Sequence, residues 1–441
     1  MMSDQGPILS GRRLGSISSR PPVKTFAGFA ALFLIPLLLD GQAVSLPTLS
    51  EYEELPELKA SEILRDTILN GPNHQVREEV PTQSGANQFT IDSHFGIFTA
   101  EGNAMLVRRV DEINAIARLK DVSKTDEFKE ALKKAAMKPV NTAKALVTDP
   151  VKTVSAIPKG LKKFMGRAGD TVKSIGKKKD SEEGEANRMQ DIIGFTEAKR
   201  KVAISLGVDP YSTNEMLQKQ LDDIAWANFA GGMVFSIGTM PIGGGVGMAL
   251  TATQVTGNFE SILREKSPAD LKAMNRKILQ GLGASSEDTD RFLKNSAFSP
   301  SAQTAFVLNL QALDGVANRG AFVRLAGRIS ASEPDAIFCV QTAALMGNLH
   351  KGEKPLARIE LLGDFPICVA KDGTVVVALQ WDYAAYTPMA DRFARDLEEF
   401  SNDKGGKRLI ALSGIVSPRL RQELEARGDT VMDKLVPGPL K

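Results

Sequence analysis

The chain has 441 residues, of which 42% are hydrophobic and 24% are charged, with a net charge of +2. This composition is that of a globular protein and excludes disorder over the whole length, and the length allows roughly two to four compact units. With three histidines and two cysteines in the chain, few ligands are available for a metal. A tetrahedral zinc site takes about four ligands of these types, so we expect no metal and no cofactor.

The first 43 residues are typical of an export signal. Residues 25–39 form a run of 15 uncharged residues, preceded by four basic residues. These are Arg12, Arg13, Arg20 and Lys24. A membrane-spanning helix takes about 20 residues, so the run is short for an anchor and suits a signal peptide with cleavage near Ala43. We predict an exported protein of the periplasm or cell envelope; an uncleaved anchor, a core helix and a twin-arginine signal are the alternatives.

Residues 44–138 are predicted to form an N-terminal α+β region. Residues 57–69 favour a helix, and the β-branched and aromatic residues of 88–99 favour a short strand or a hairpin. A helix should begin near Asn103, because apolar residues recur from there at spacings of three and four. A second helix should cover residues 126–137.

Residues 139–190 are predicted to be a basic amphipathic segment followed by a charged linker. Between residues 133 and 179 the chain has 13 positive charges against two negative ones. The residues singled out for anion binding are Lys152, Lys159, Lys162, Lys163 and Arg167. Such a segment is attracted to anionic lipid or to an envelope polyanion; the alternative is a solvated linker. Nucleic acid is disfavoured as a partner, because the protein is predicted to be exported and few aromatic residues interleave the lysines.

Residues 191–352 are predicted to be a helical domain organised around residues 224–259, an uncharged stretch with eight glycines. A helix over residues 192–206 should precede the stretch. The next helix should begin near residue 214, with Ser212 as its possible cap.

Within the uncharged stretch, Pro241 and the glycines beside it interrupt any helix. Two helical segments, 221–239 and 244–263, should therefore form a hairpin. The residues expected to pack within it are Gly232, Gly238, Pro241, Gly243 and Gly247.

This hairpin has two interpretations. In the first it contacts lipid, since glycines four residues apart allow close helix approach and Trp226 near one end suits a membrane interface. In the second it is buried inside the protein's own helical bundle. A phosphate-binding loop is disfavoured, because the stretch lacks the Lys-Ser/Thr pair of a P-loop.

Residues 353–441 are predicted to form a small α/β domain of order β-β-β-α-β-α-β. Its strand-like runs are residues 357–362, 366–370, 374–381, 408–412 and 430–432. Asp372-Gly373 predicts a hairpin turn, while Thr387-Pro388 and Ser417-Pro418 each predict a helix start. Ser299-Pro300 predicts another helix start upstream, followed by helices over residues 322–329 and 336–348. The fold class is therefore α+β, with a mainly helical middle region.

Asp382 and Ser417 form a possible ligand loop, because each follows a strand of the predicted α/β domain, where ligands and anions bind. The alternative is a connecting loop with an ordinary capping serine. Cys339 and Cys368 form either a disulfide that ties the helical region to the α/β domain or two buried thiols. Since no histidine has a serine or cysteine partner in a recognisable motif, we predict no catalytic residue.

These features together predict a non-enzymatic structural or interaction protein of the cell envelope. It would contact an anionic membrane surface through the basic segment and the glycine-rich hairpin. The alternative is a ligand-binding protein or enzyme that uses the C-terminal α/β domain, which a pocket at Asp382 and Ser417 would favour. A third possibility is an adaptor that docks a protein partner in an apolar groove between the helices of residues 290–350.

Overall fold

The computed structural model describes residues 52–137, 182–234, 256–352, 354–436 and 438–441. Side chains are described from residue 193 in the second of these ranges and from residue 258 in the third. All of these residues belong to one unit that spans residues 50–441.

The N-terminal region is built on an antiparallel sheet. Its strands are β1 (Glu57–Lys59), β2 (Asn70–Gly71), β3 (His74–Val76), β4 (Glu79–Gln83), β5 (Ala86–Ser93) and β6 (Gly96–Glu101). Among the described residues they follow the order β1-β4-β5-β3-β2, and β6 pairs with β5 in addition. Buried and more exposed residues alternate along β4 and the first part of β5, as expected where one face covers a core. Of the two alternatives predicted for residues 88–99, a short strand or a hairpin, the β5–β6 pairing shows the hairpin.

The helix predicted over residues 57–69 is wrong. After β1 the chain makes two single-turn helices, α1 (Ala60–Ile63) and α2 (Asp66–Leu69). The C-terminal tail separates them: Leu64 forms an antiparallel bridge with Leu440, and the Arg65 N–H donates to the Pro439 carbonyl oxygen over 2.8 Å. Contacts from the other end of the chain therefore override the local helix preference.

A layer of longer helices follows the sheet. It contains α3 (Asn103–Val122), α4 (Asp126–Met137), α5 (Glu182–Ser205) and α6 (Glu215–Phe229). The predicted start of α3 and the predicted extent of α4 are confirmed. Helices α5 and α6 run antiparallel: Lys199 on α5 pairs with Asp222 on α6, while Phe195 lies beside Trp226.

Three boundaries in this layer differ from the predictions. Helix α5 begins at Glu182, inside the predicted linker, where Glu, Ala, Met and Gln residues favour a helix. Helix α6 is capped by Asn214 and not by Ser212, because the Asn214 side chain accepts from the N–H groups of the first turn. Helix α6 ends at Phe229, ten residues before the predicted end at 239, because Gly232 adopts a left-handed conformation with φ of 70°.

The middle of the chain continues as helices. These are α7 (Thr256–Glu265), α8 (Pro268–Gly281), α9 (Ser286–Lys294), α10 (Pro300–Gln311), α11 (Arg319–Ile329) and α12 (Glu333–Lys351). Ser299 caps α10 as predicted, accepting from the Ala302 N–H over 3.2 Å. Helices α10 and α12 contact each other, and most of their residues are buried.

The C-terminal region carries a second sheet. Its elements are β7 (Leu356–Leu362), β8 (Phe365–Ala370), β9 (Val375–Leu379), β10 (Tyr383–Ala384), α13 (Pro388–Ser401), β11 (Arg408–Leu412), β12 (Ile415–Val416), α14 (Pro418–Ala426) and β13 (Thr430–Met432). In the described chain the main sheet has the order β13-β11-β9-β8-β7, with β11 parallel to β9 and β13. The short strands β10 and β12 pair in parallel beside it. The predicted Asp372-Gly373 turn is confirmed, since Gly373 has φ of 84° between β8 and β9.

One buried apolar cluster runs through the N-terminal sheet, the helices of the middle region and one face of the C-terminal sheet. A second cluster lies between α3, α4, α5 and α6, and a third covers the other face of the C-terminal sheet. The general α+β class is therefore confirmed.

Candidate functional site

Asp382 is buried, and both of its carboxylate oxygens accept hydrogen bonds from within the protein. Its Oδ2 atom accepts from the Asn87 N–H over 3.0 Å and from the Asn103 N–H over 2.9 Å. Its Oδ1 atom accepts from Gln380 Nε2 over 2.9 Å. Asn87 lies in β5 and Asn103 is the first residue of α3, so Asp382 joins the C-terminal region to the N-terminal sheet and its adjoining helix.

The environment of Asp382 shifts its acidity. Burial raises the pKa of the Asp382 carboxyl to about 6, although the hydrogen bonds from Asn87, Asn103 and Gln380 act in the opposite direction. An acid with a raised pKa at the end of a strand can mark a functional group. Here the carboxylate oxygens accept from the main-chain N–H groups of Asn87 and Asn103 and from the Gln380 side chain. This arrangement attaches Asp382 to β5 and α3.

Ser417 is fully buried and caps helix α14. Its Oγ atom accepts from the Leu420 N–H over 3.0 Å and donates to Glu53 Oε2 over 2.6 Å. The same Glu53 oxygen accepts from the Tyr386 N–H over 2.6 Å, and the Glu53 N–H donates to the Tyr386 carbonyl oxygen over 2.8 Å. The anion position predicted at this strand-to-helix junction is therefore held by a carboxylate of the chain itself.

The structure places the two halves of the predicted ligand loop side by side. Strand β10 begins directly after Asp382, strand β12 ends directly before Ser417, and the two strands pair in parallel. The Ile415 N–H also donates to the Asp382 carbonyl oxygen over 2.9 Å. A methyl group on Gly414 would overlap the Asp382 main chain, so only glycine fits this approach. The two side chains nonetheless serve different internal contacts, one with the N-terminal sheet and the other with Glu53.

A buried network of charges lies where α3 meets the loop before α6, and sequence reasoning missed it. Arg108 Nη2 lies 2.8 Å from Asp209 Oδ2, and Arg109 Nη1 lies 2.6 Å from Glu112 Oε2. Glu333, on the first turn of α12, lies 3.4 Å from Arg108 Nη1. The Glu112 and Asp209 side chains are each 1% exposed, so the network is part of the interior.

Hydroxyl and amide groups complete this network. Asn214 Nδ2 donates to Glu112 Oε2 over 3.0 Å, Ser212 Oγ donates to the other Glu112 oxygen, and Ser301 Oγ donates to Asp209. Burial by itself would raise the pKa of the Glu112 carboxyl, but the positive charges of Arg109 and Arg108 outweigh that effect and lower the pKa. The network connects α3, the α5–α6 loop, α10 and α12. The sequence carried one signal of this network: Arg108 and Glu112 lie four residues apart on the apolar face of α3, a spacing at which ion pairs form.

The cysteines are separate in the structure. Cys339 and Cys368 are both buried free thiols, and burial raises the pKa of each to about 12. Cys339 Sγ lies 3.6 Å from Ser330 Oγ, while Cys368 faces Val376 across β8 and β9. The structure therefore corresponds to two buried thiols and not to the disulfide. Within the part of the chain that the structure describes, no group of three His, Cys, Asp or Glu side chains is arranged to hold a metal.

Most of the basic and glycine residues singled out above lie outside the described residues. These are Lys152, Lys159, Lys162, Lys163, Arg167, Gly238, Pro241, Gly243 and Gly247. Gly232 is described, and a methyl group on it would meet nothing within 4 Å. The close approach falls one residue earlier, where a methyl group on Gly231 would overlap the main-chain oxygens of Ala131 on α4 and Ala227 on α6.

The C-terminal end of α6, together with the middle of α5 beside it, carries apolar side chains at the surface. We call Ile193, Phe195, Trp226, Phe229 and Val234 together the aromatic end. Ile193 is 54% exposed and Val234 is 87% exposed, whereas Trp226 and Phe229 are half-buried. A methyl group on Gly194 would overlap the Phe229 ring, which shows how closely α5 and α6 meet here.

No helix in the described ranges is both long enough and apolar enough to cross a membrane. Comparison with protein families, with curated proteins and with solved structures finds no match for this chain.

Proposed function

We propose that the protein is an exported, envelope-associated structural or interaction protein without enzymatic activity. It contacts an anionic membrane surface through the basic amphipathic segment within residues 139–190 and the glycine-rich stretch of residues 224–259. The finer architecture belongs to the same proposal: residues 353–441 act as a small α/β unit.

The observation that carries the proposal is that the chain enters both segments at one end of the helical layer. Helix α6 leads into the rest of the uncharged stretch past Gly231, whose closest neighbour on α4 is the Ala131 carbonyl. Helix α4 ends at Met137, about 9 Å further along its axis at 1.5 Å per residue. The basic segment follows Met137, so a charge-bearing segment and an apolar one begin close together.

The energetics suit a surface contact. Each basic residue near an anionic bilayer contributes about 1 kcal/mol of attraction, and salt screens this contribution over about 10 Å at 0.1 M ionic strength. The segment between residues 133 and 179 has 13 positive charges against two negative ones. A few engaged lysines and arginines therefore supply enough attraction for reversible binding.

The alternative functions have less support. A ligand-binding protein or enzyme built on Asp382 and Ser417 would need these side chains to face a cavity, but both are buried and hydrogen-bonded within the chain. An adaptor groove between the helices of residues 290–350 would expose large apolar side chains. Residues 290–350 are all described, and none of their large apolar side chains is among the exposed ones.

Vesicle flotation tests the proposal directly. The full chain should float with vesicles that contain anionic lipid, should float less with neutral vesicles, and should lose binding as salt rises. Replacing Lys159, Lys162, Lys163 and Arg167 with glutamine should weaken binding to anionic vesicles by at least tenfold at low salt, since about 1 kcal/mol is lost for each engaged charge. Equal absence of binding to both kinds of vesicle would contradict the proposal.

A matched variant separates local attraction from net charge. Lys272, Lys277, Lys371 and Lys407 are exposed residues of the described chain, and replacing them with glutamine removes the same total charge. This control should bind anionic vesicles nearly as well as the unmodified protein. If both variants lose the same affinity, the basic segment has no special role.

A further inference from the structure

The aromatic end is a cluster apart from the main core. Trp226 lies 6.2 Å from Phe195 and 6.3 Å from Phe229, measured between ring centroids and with the rings strongly inclined. These rings pack with Ala198 and Ala225 in a cluster of their own. The cluster is small, and its tryptophan and one phenylalanine keep part of their surface in solvent.

Two exposed aliphatic side chains lie close in sequence to the residues of this cluster. Ile193 precedes the glycine that contacts Phe229, and Val234 follows α6 by five residues. Exposed apolar surface costs about 25 cal/mol per Å², so exposed side chains grouped with half-buried aromatic rings favour a partner that removes them from water. Other exposed apolar side chains of the described chain, such as Ile97 on β6 and Met389 on α13, lie on different elements.

The charges near the aromatic end favour an anionic partner. Lys134 is exposed on α4, three residues beyond the Ala131 carbonyl that contacts Gly231, whereas Lys133 pairs with Glu130 Oε1 over 2.8 Å. Two acidic residues near the rings form ion pairs: Asp222 Oδ1 lies 2.6 Å from Lys199 Nζ, and Glu197 pairs with Lys201 one turn away. The basic segment begins directly after α4.

We propose that the aromatic end is the part of the fold that enters the bilayer interface, with Trp226 at the boundary between headgroups and acyl chains. This inference rests on the proposed membrane function and specifies which described residues touch lipid. An indole ring is apolar over its face and polar at its N–H group, and tryptophan is enriched at that depth for this reason. Ile193 and Val234 then insert beside it while the lysines contact the headgroups.

Charge substitutions at the two exposed aliphatic residues test this inference without disturbing the core. Ile193→Asp and Val234→Asp should each lower partition into anionic vesicles by about tenfold or more, which is the order expected for losing one inserted aliphatic side chain. Ile97→Asp is the matched control, because Ile97 is 64% exposed on a different element. This control should bind as the unmodified protein does.

Fluorescence supplies a second readout that does not depend on the aspartate variants. The chain has two tryptophans, so Trp381→Phe leaves Trp226 as the only emitter. Its emission should shift to shorter wavelength with anionic vesicles and should be quenched most by lipids brominated near the top of the acyl chain.

The outcomes separate the two proposals. If the unmodified protein floats but the Ile193 and Val234 variants bind equally well and Trp226 emission does not change, the aromatic end is not the lipid contact and the proposed function stands. If the unmodified protein binds no vesicle, both proposals fail. A dimer in the absence of lipid that Ile193→Asp dissociates would assign the surface to a second copy of the chain and overturn the lipid assignment.

Discussion

Replacing Asp382 with alanine should destabilise the attachment of the C-terminal region to the N-terminal sheet. The substitution removes the acceptor for the N–H groups of Asn87 and Asn103, which lie 3.0 Å and 2.9 Å from Asp382 Oδ2. A buried donor left without a partner costs about 1–3 kcal/mol, so the two donors together should cost about 2–6 kcal/mol. That is a large fraction of the typical stability of a protein, about 5–15 kcal/mol.

Urea denaturation and amide hydrogen exchange measure this effect. We expect a lower midpoint for Asp382→Ala and faster exchange at the amides of Asn87 and Asn103 than in the unmodified protein. Asp382→Asn is the control, because its side-chain oxygen still accepts from both amides, and it should lose much less stability. A cost below about 1 kcal/mol for the alanine variant would refute the reasoning, since the donors would then have found other partners.

The raised pKa of Asp382 adds a dependence on pH. Because burial raises this pKa to about 6, compared with 3.8 in an unfolded chain, the folded state binds more protons than the unfolded state between these two values. The contribution of Asp382 to the free energy of unfolding is therefore largest below pH 4, falls as the pH rises towards 6, and is constant above that. The difference in stability between the unmodified protein and Asp382→Asn should follow this course, and a flat difference from pH 4 to 6 would contradict it.

Two further perturbations follow from the described contacts. Gly231→Ala should cost about 1–3 kcal/mol, because its methyl group overlaps main-chain atoms of α4 and α6, whereas Gly232→Asn should change the unfolding midpoint little, since asparagine tolerates a left-handed conformation; equal losses would contradict this assignment. Ser417→Ala should cost about 1–3 kcal/mol through the lost cap and the lost Glu53 contact, and limited proteolysis should cut sooner near residue 53. Glu53→Gln keeps an acceptor and should show a smaller effect than Ser417→Ala, so the reverse order would argue against a hydrogen bond at this position.

Helix and strand positions were predictable where the signal was local. The Ser299, Thr387 and Ser417 caps, each followed by proline, open helices as predicted. The Asp372-Gly373 turn also holds. Each of these depends on hydrogen bonds and backbone angles within a few residues, which a single sequence displays directly.

Elements that depend on distant contacts were not predictable. Residues 57–69 have the composition of a helix, yet the C-terminal tail pairs with Leu64 and divides them. The end of α6 at Phe229 also differs from the prediction, but its cause is local, because Gly232 adopts a left-handed conformation. The partners of the candidate site were equally hidden, because the charged network around Arg108 draws on Asp209 and Glu333 from other parts of the chain.

The sequence by itself determined the α+β class, the helix starts at Ser-Pro and Thr-Pro pairs, the Asp372-Gly373 turn, and an uncharged stretch separate from a strongly basic one. Only the tertiary structure decided what the candidate ligand residues do. Ser417 holds a carboxylate 364 residues away in the chain, and Asp382 accepts from amides 295 and 279 residues away. Local periodicity reports which face of an element is apolar, but a hydrogen bond between distant residues forms only when the whole core brings them together, and this is why the ligand loop became an internal anchor.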